Sequence, residues 1–63
     1  MTIGEKIREI RGELSQREFA ERLAISIAAV STYENNMRVP RDGLKKKIAK
    51  YAGKTVQEIF FED

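Results

Sequence analysis

Leu14-Ser15-Gln16-Arg17-Glu18-Phe19-Ala20-Glu21-Arg22-Leu23-Ala24-Ile25-Ser26-Ile27-Ala28-Ala29-Val30-Ser31-Thr32-Tyr33-Glu34-Asn35-Asn36 is the stretch that decides the fold. Ser15 and Glu18 have the spacing of a capping box, in which the hydroxyl takes the amide three residues on and the carboxylate reaches back. Phe19, Ala20 and Leu23 then share one helical face. Ser26 is the next natural N-cap, so a second helix is expected from Ile27. Only Ala24 and Ile25 separate Leu23 from that cap. Two helices joined so tightly must cross steeply, which is a helix-turn-helix.

Residue sizes agree with that crossing. Ala20 lies mid-helix on the buried face, where a larger side chain would push the second helix away. Val30 and Tyr33 form the inward stripe of the second helix, leaving Ile27, Ala28, Ser31, Thr32 and Asn35 on other faces. Several of these are short, so the backbone of this helix can come close to a grooved partner.

With these residues in place, the chain resembles the Cro/C1-type (Xre) helix-turn-helix family of phage and bacterial repressors. The resemblance rests on Ser15-Gln16 opening the first helix, Ala20 at the crossing and buried Val30. Glu34-Asn35-Asn36, Arg38 and Pro40 close the motif. It extends over roughly residues 3–60. It implies an all-α, lambda-repressor-like domain of five short helices spanning residues 1–63, with its central motif at about 15–36. Ala24 departs from the family, which usually has Gly there in a left-handed conformation. A non-Gly residue in that conformation costs about 1–2 kcal/mol.

At 63 residues the chain is one small domain, of a size that buries only about 60% of its unfolded surface. It has no Cys and no His, which excludes disulfides, thiolate metal sites and imidazole chemistry. No apolar run is long enough for a membrane span and no signal-peptide core is visible. The expected location is the cytoplasm of a prokaryotic or phage-infected cell, at the nucleoid. The opening Met1-Thr2-Ile3 reads as a mature cytosolic N-terminus. The net charge of +2 is unevenly spread. Residues 1–37 carry a net −1, residues 38–54 a net +6 and residues 55–63 a net −3. A basic block beside the presumed reading helix suits phosphates.

On either side of the motif the same signals recur. Thr2 and Glu5 make a capping box opening a first helix at Ile3, with Ile3, Ile7 and Ile10 inward and Lys6, Arg8, Glu9 and Arg11 wet. Gly12 stops it. Asn36 suits a left-handed cap, and Pro40 keeps Val39 extended. A fourth helix is expected from Arg41 or Asp42 to Gly53, with Leu44, Ile48, Tyr51 and Ala52 on one face. Thr55 and Glu58 open a short last helix with Val56, Ile59 and Phe60 inward. Phe61 follows Phe60, and one helix cannot bury both against one core. The expected core is Ile7, Ile10, Phe19, Ala20, Leu23, Val30, Ile48 and Ile59.

No enzyme signature, cofactor motif or small-molecule site is present. The carboxylates read as solvated groups on helix faces, so the chain is expected not to be an enzyme. The resemblance instead implies double-stranded operator DNA as partner. It places Ser26, Ile27, Ala28 and Thr32 at base edges. It places Gln16, Arg17, Ser31, Asn35, Asn36, Arg38 and Arg41 at or near phosphates. Ile27 and Ala28 can pack on thymine methyl groups, and few bidentate base contacts remain. Sequence preference is then modest or rests on DNA shape. Phe60 and Phe61 are the expected interface of a weak homodimer. The apolar reading face and this aromatic pair also suit a second reading, a protein-interaction module such as an antitoxin-like or anti-repressor subunit.

Overall fold

Three capping boxes set where helices begin, and all three form in the computed structural model, which describes residues 1–61. The Thr2 hydroxyl accepts from the Glu5 amide at 3.1 Å while the Glu5 carboxylate accepts from Thr2 N–H at 2.8 Å. Ser15 with Glu18 and Thr55 with Glu58 repeat the arrangement. The helices that follow are α1 (Ile3–Arg11), α2 (Gln16–Leu23), α3 (Ile27–Glu34) and α4 (Asp42–Ala52). The last element, α5, is a π-helical segment over Gln57–Phe61. Among the described residues the fold is all-helical, with five helices.

Three of the helices end alike. Ala24, Asn36 and Gly53 each follow a helix in a left-handed conformation, at φ 57°, 60° and 69°. In each case two backbone N–H groups return to the last-turn carbonyls: Ala24 to Glu21 and Ile25 to Ala20, Asn36 to Tyr33 and Met37 to Thr32, Gly53 to Lys50 and Lys54 to Ala49. This double return is the Schellman motif. Ala24 therefore takes up the conformation that its missing glycine would have held, and the turn keeps its shape at the expense of backbone strain.

The core consists of Ile7, Phe19, Ala20, Leu23, Val30, Ile48, Ala49, Ile59 and Phe60. Ala20 and Val30 are 2% and 1% exposed, so the small residue of α2 and the β-branched residue of α3 both lie in the one core. Ile10 is only partly buried, unlike the expectation. The inward face of α1 is centred on Gly4 and Ile7, with Ile3 and Ile10 flanking it. On α4 the buried pair is Ile48 and Ala49, while Tyr51 stays at the edge and sets its ring against Phe19, centroids 5.5 Å apart at 74°.

Two further points differ from the sequence reading. Glu34 is not a solvated carboxylate; it is 3% exposed at the end of α3. Arg11, expected on the wet face of α1, is turned to meet it. Gly4 has a specific reason to be glycine. A β-carbon there would press on the carbonyl oxygen of Glu34 and lie 2.8 Å from its carbonyl carbon and 2.9 Å from Asn36 Nδ2. The start of α1 thus packs backbone to backbone on the end of α3.

Candidate nucleic-acid interface

The outward face of α3 begins at its cap. Ser26 Oγ accepts from the Ala29 amide at 3.0 Å, so its lone pair holds the helix while its proton remains free to donate. Ile27 and Ala28 follow on the surface, Ile27 at 39% exposure. Thr32 Oγ1 donates to the Ala28 carbonyl at 2.8 Å, so toward a partner it offers lone pairs and a methyl group rather than a proton. Asn35 Nδ2 donates to Ser31 Oγ at 3.2 Å, which steadies both side chains along the last turn. Ser26, Ile27, Ala28 and Thr32 are thus four short, uncharged side chains at the cap and along one helix, which can approach a groove closely.

Around this face the expected phosphate residues fall into two groups. Arg17, Arg38 and Arg41 are exposed, and among the described residues none has an ion-pair partner. Gln16 and Asn36 are engaged in the protein. Gln16 Nε2 donates to Glu34 Oε1 at 3.1 Å, leaving its second amide hydrogen for an outside acceptor. Asn36 Oδ1 accepts from the Gly4 amide at 2.9 Å and its Nδ2 donates to Thr2 Oγ1 at 3.1 Å. Its side chain therefore fastens the start of α1 to the connector after α3.

Two lysines of the basic block of residues 38–54 make contacts within the protein. Lys47 Nζ donates to the Leu23 carbonyl at 3.3 Å, placing a positive charge at the negative end of α2. Lys45 Nζ lies 5.5 Å above the Phe60 ring and 4.7 Å above that of Phe61. The aromatic pair is divided. Phe60 is 7% exposed and joins the core, whereas Phe61 is 66% exposed.

The feature least visible in the sequence lies behind α3. Arg11 donates to Glu34 through Nε at 2.7 Å and Nη2 at 3.1 Å, and through Nη1 to the Leu14 carbonyl at 2.8 Å. Arg8 Nε stands 3.7 Å from Glu34 Oε1. Burial pushes the Glu34 carboxyl up, but the Arg11 and Gln16 hydrogen bonds and the charges of Arg11 and Arg8 outweigh it, and its pKa lies below the ordinary value. One carboxylate at the end of α3 thereby joins α1, α2 and the turn between them. A signal was available. Glu34 stands one turn after buried Val30, and Arg11 one turn after buried Ile7, so opposite charges share the two inward stripes.

Two short helices crossing over a small alanine, the second showing a slim outer face between exposed arginines, define a helix-turn-helix DNA-binding domain. The family model described as helix-turn-helix matches residues 5–59, and the chain belongs to this Cro/C1-type family. No curated protein and no solved structure matches the chain. The family is one of DNA-binding regulators rather than of enzymes. No helix among the described residues is long and apolar enough to cross a membrane.

Proposed function

We propose that the chain is a sequence-specific transcriptional regulator of the Cro-like repressor kind, which lays α3 in the major groove of an operator. The observation that carries this reading is the contrast between the two sides of α3. Its inner side is clamped through Val30 and Glu34. Its outer side presents Ser26, Ile27, Ala28 and Thr32 without a charge. Base preference comes from Ile27 and Ala28 against thymine methyl groups and from the hydroxyls of Ser26 and Thr32. Gln16, Arg17, Arg38 and Arg41 hold the backbone, with Ser31 and Asn35 at the groove walls and the Asn36 connector facing the far phosphate.

One reading helix covers few base pairs, so two copies bind a palindrome with half-sites about 34 Å apart. Phe61, exposed at the end of the fold, is the contact we assign to this weak dimer, completed on DNA. The test is selection of bound duplexes from a random pool, followed by titration across salt concentrations. A regulator enriches a palindromic site and loses affinity steeply with salt. Two protomers bind per site in sedimentation, and Phe61→Ala reduces that to one. The exposed Ile27 and Phe61 also favour a protein-interaction module on the same fold. That reading is supported by an absence of salt-dependent DNA binding in the same titration.

A further inference from the structure

We propose that Arg8 is a DNA-phosphate ligand, held beside Gln16 by the buried Glu34 carboxylate. The inference rests on the DNA-binding reading above and adds a residue from α1, outside the helix-turn-helix. Arg11 already answers the single negative charge of Glu34, with two hydrogen bonds and a side chain 19% exposed. Arg8 reaches the same carboxylate only through Nε, at 3.7 Å, and its side chain is 56% exposed. Two guanidinium groups therefore share one carboxylate, and the charge left over is the one in solvent.

The direction of Arg8 follows from the shared atom. Arg8 Nε and Gln16 Nε2 both converge on Oε1 of Glu34, one from α1 and one from the first position of α2. A phosphate that takes the second hydrogen of the Gln16 amide arrives beside the Arg8 fork, whose planar donors match phosphate oxygens. Glu34 is then a positioning residue. It does not touch the phosphate; it fixes the two groups that do. If the Arg8–Glu34 contact served the fold alone, removing Arg8 would change stability and leave the salt dependence of DNA binding as it was.

The experiment compares the whole chain with Arg8→Ala, Arg8→Lys and Arg38→Ala. Affinity is measured for the selected operator and for an unrelated duplex between about 50 and 200 mM salt, alongside thermal unfolding of each variant. Arg8→Ala is expected to weaken binding to both duplexes by the same several-fold factor. It should also make the log–log salt slope shallower by about 0.9, the contribution of one phosphate. Arg8→Lys, which keeps the charge, is expected to restore most of the slope. A wild-type slope in Arg8→Ala, with a shallower slope in Arg38→Ala, overturns the assignment of Arg8 and leaves the DNA-binding reading standing. Wild-type protein without salt-dependent DNA binding overturns both.

Discussion

The guanidinium of Arg11 and the carboxylate of Glu34 meet edge to edge, at 2.7 and 3.1 Å, between α1 and the end of α3. Each stands one turn beyond a core residue, Ile7 and Val30, so the pair fills places in which an apolar contact would otherwise lie. Removing Arg11 leaves the buried Glu34 charge to one Gln16 hydrogen bond and the longer Arg8 contact. Arg11→Ala is expected to destabilise the domain by about 3–5 kcal/mol, most of what a chain this short possesses. Arg11→Met combined with Glu34→Leu is expected to recover much of that loss, since apolar replacement of both partners removes the desolvation penalty. Urea unfolding followed by circular dichroism measures both. A double variant no more stable than Arg11→Ala would contradict the account.

The same carboxylate gives stability a pH dependence of known sign. Glu34 is buried, but its donors and neighbouring arginines keep its folded pKa below that of the unfolded chain. The stability it contributes is fully present above the unfolded value of about 4.3. It is lost as pH falls through the folded pKa, because the unfolded state then binds more protons. Glu5, Glu18 and Glu58 shift in the same direction, chiefly through hydrogen bonds from the backbone of Thr2, Ser15 and Thr55. The urea midpoint is therefore expected to be level from pH 7 to about 5 and to fall below that. An unchanged midpoint down to pH 3 would refute it.

Two left-handed residues predict opposite outcomes for one substitution. At Ala24 the side chain strains a φ of 57°. Ala24→Gly is expected to stabilise by about 1 kcal/mol, a rise in melting temperature of about 4–8 °C. At Asn36, with φ 60°, glycine relieves the same strain but deletes the bonds to Gly4 and Thr2. Asn36→Gly is expected to lower the melting temperature. A rise in Asn36→Gly would show that side-chain bonding at Asn36 does not matter, and a fall in Ala24→Gly would refute the strain at Ala24.

Gly4→Ala tests the contact between α1 and α3. Helix propensity alone favours alanine by about 1 kcal/mol. The added β-carbon, however, meets the Glu34 carbonyl and the Asn36 amide. Net destabilisation of about 1–3 kcal/mol is expected, read as a lower urea midpoint. A gain in stability would mean that the two helix ends can separate freely.

Local signals in the sequence located the helices well because each start has its own chemistry. Thr2, Ser15 and Thr55 are each followed three residues later by Glu, and Ser26 caps α3 by itself. Whatever depended on two distant segments meeting was harder to see. Lys45 and Lys47 looked like part of a phosphate-binding block, but one covers an aromatic pair and the other caps α2. Asn36 looked like a loop residue facing DNA, although its amide reaches back 34 residues to Thr2. Within its own helix each of Arg11 and Glu34 has the pattern of a solvated residue, because only the opposite inward stripe supplies the partner.

That reach from Asn36 to Thr2 and Gly4 has a consequence for the order of assembly. It closes α1, α2 and α3 into a ring, and every residue that ties its ends precedes α4 in the chain. Such a ring has a crossing and a clasp but no floor, because Ile48, Ala49, Ile59 and Phe60 all come from the last third of the chain. Each large apolar side chain among these adds about 1.5–3 kcal/mol on burial. A chain cut at the connector therefore lacks much of the apolar core in which Val30 of α3 is seated. Residues 2–36 tie the motif, and residues 48–60 give it the support on which it rests.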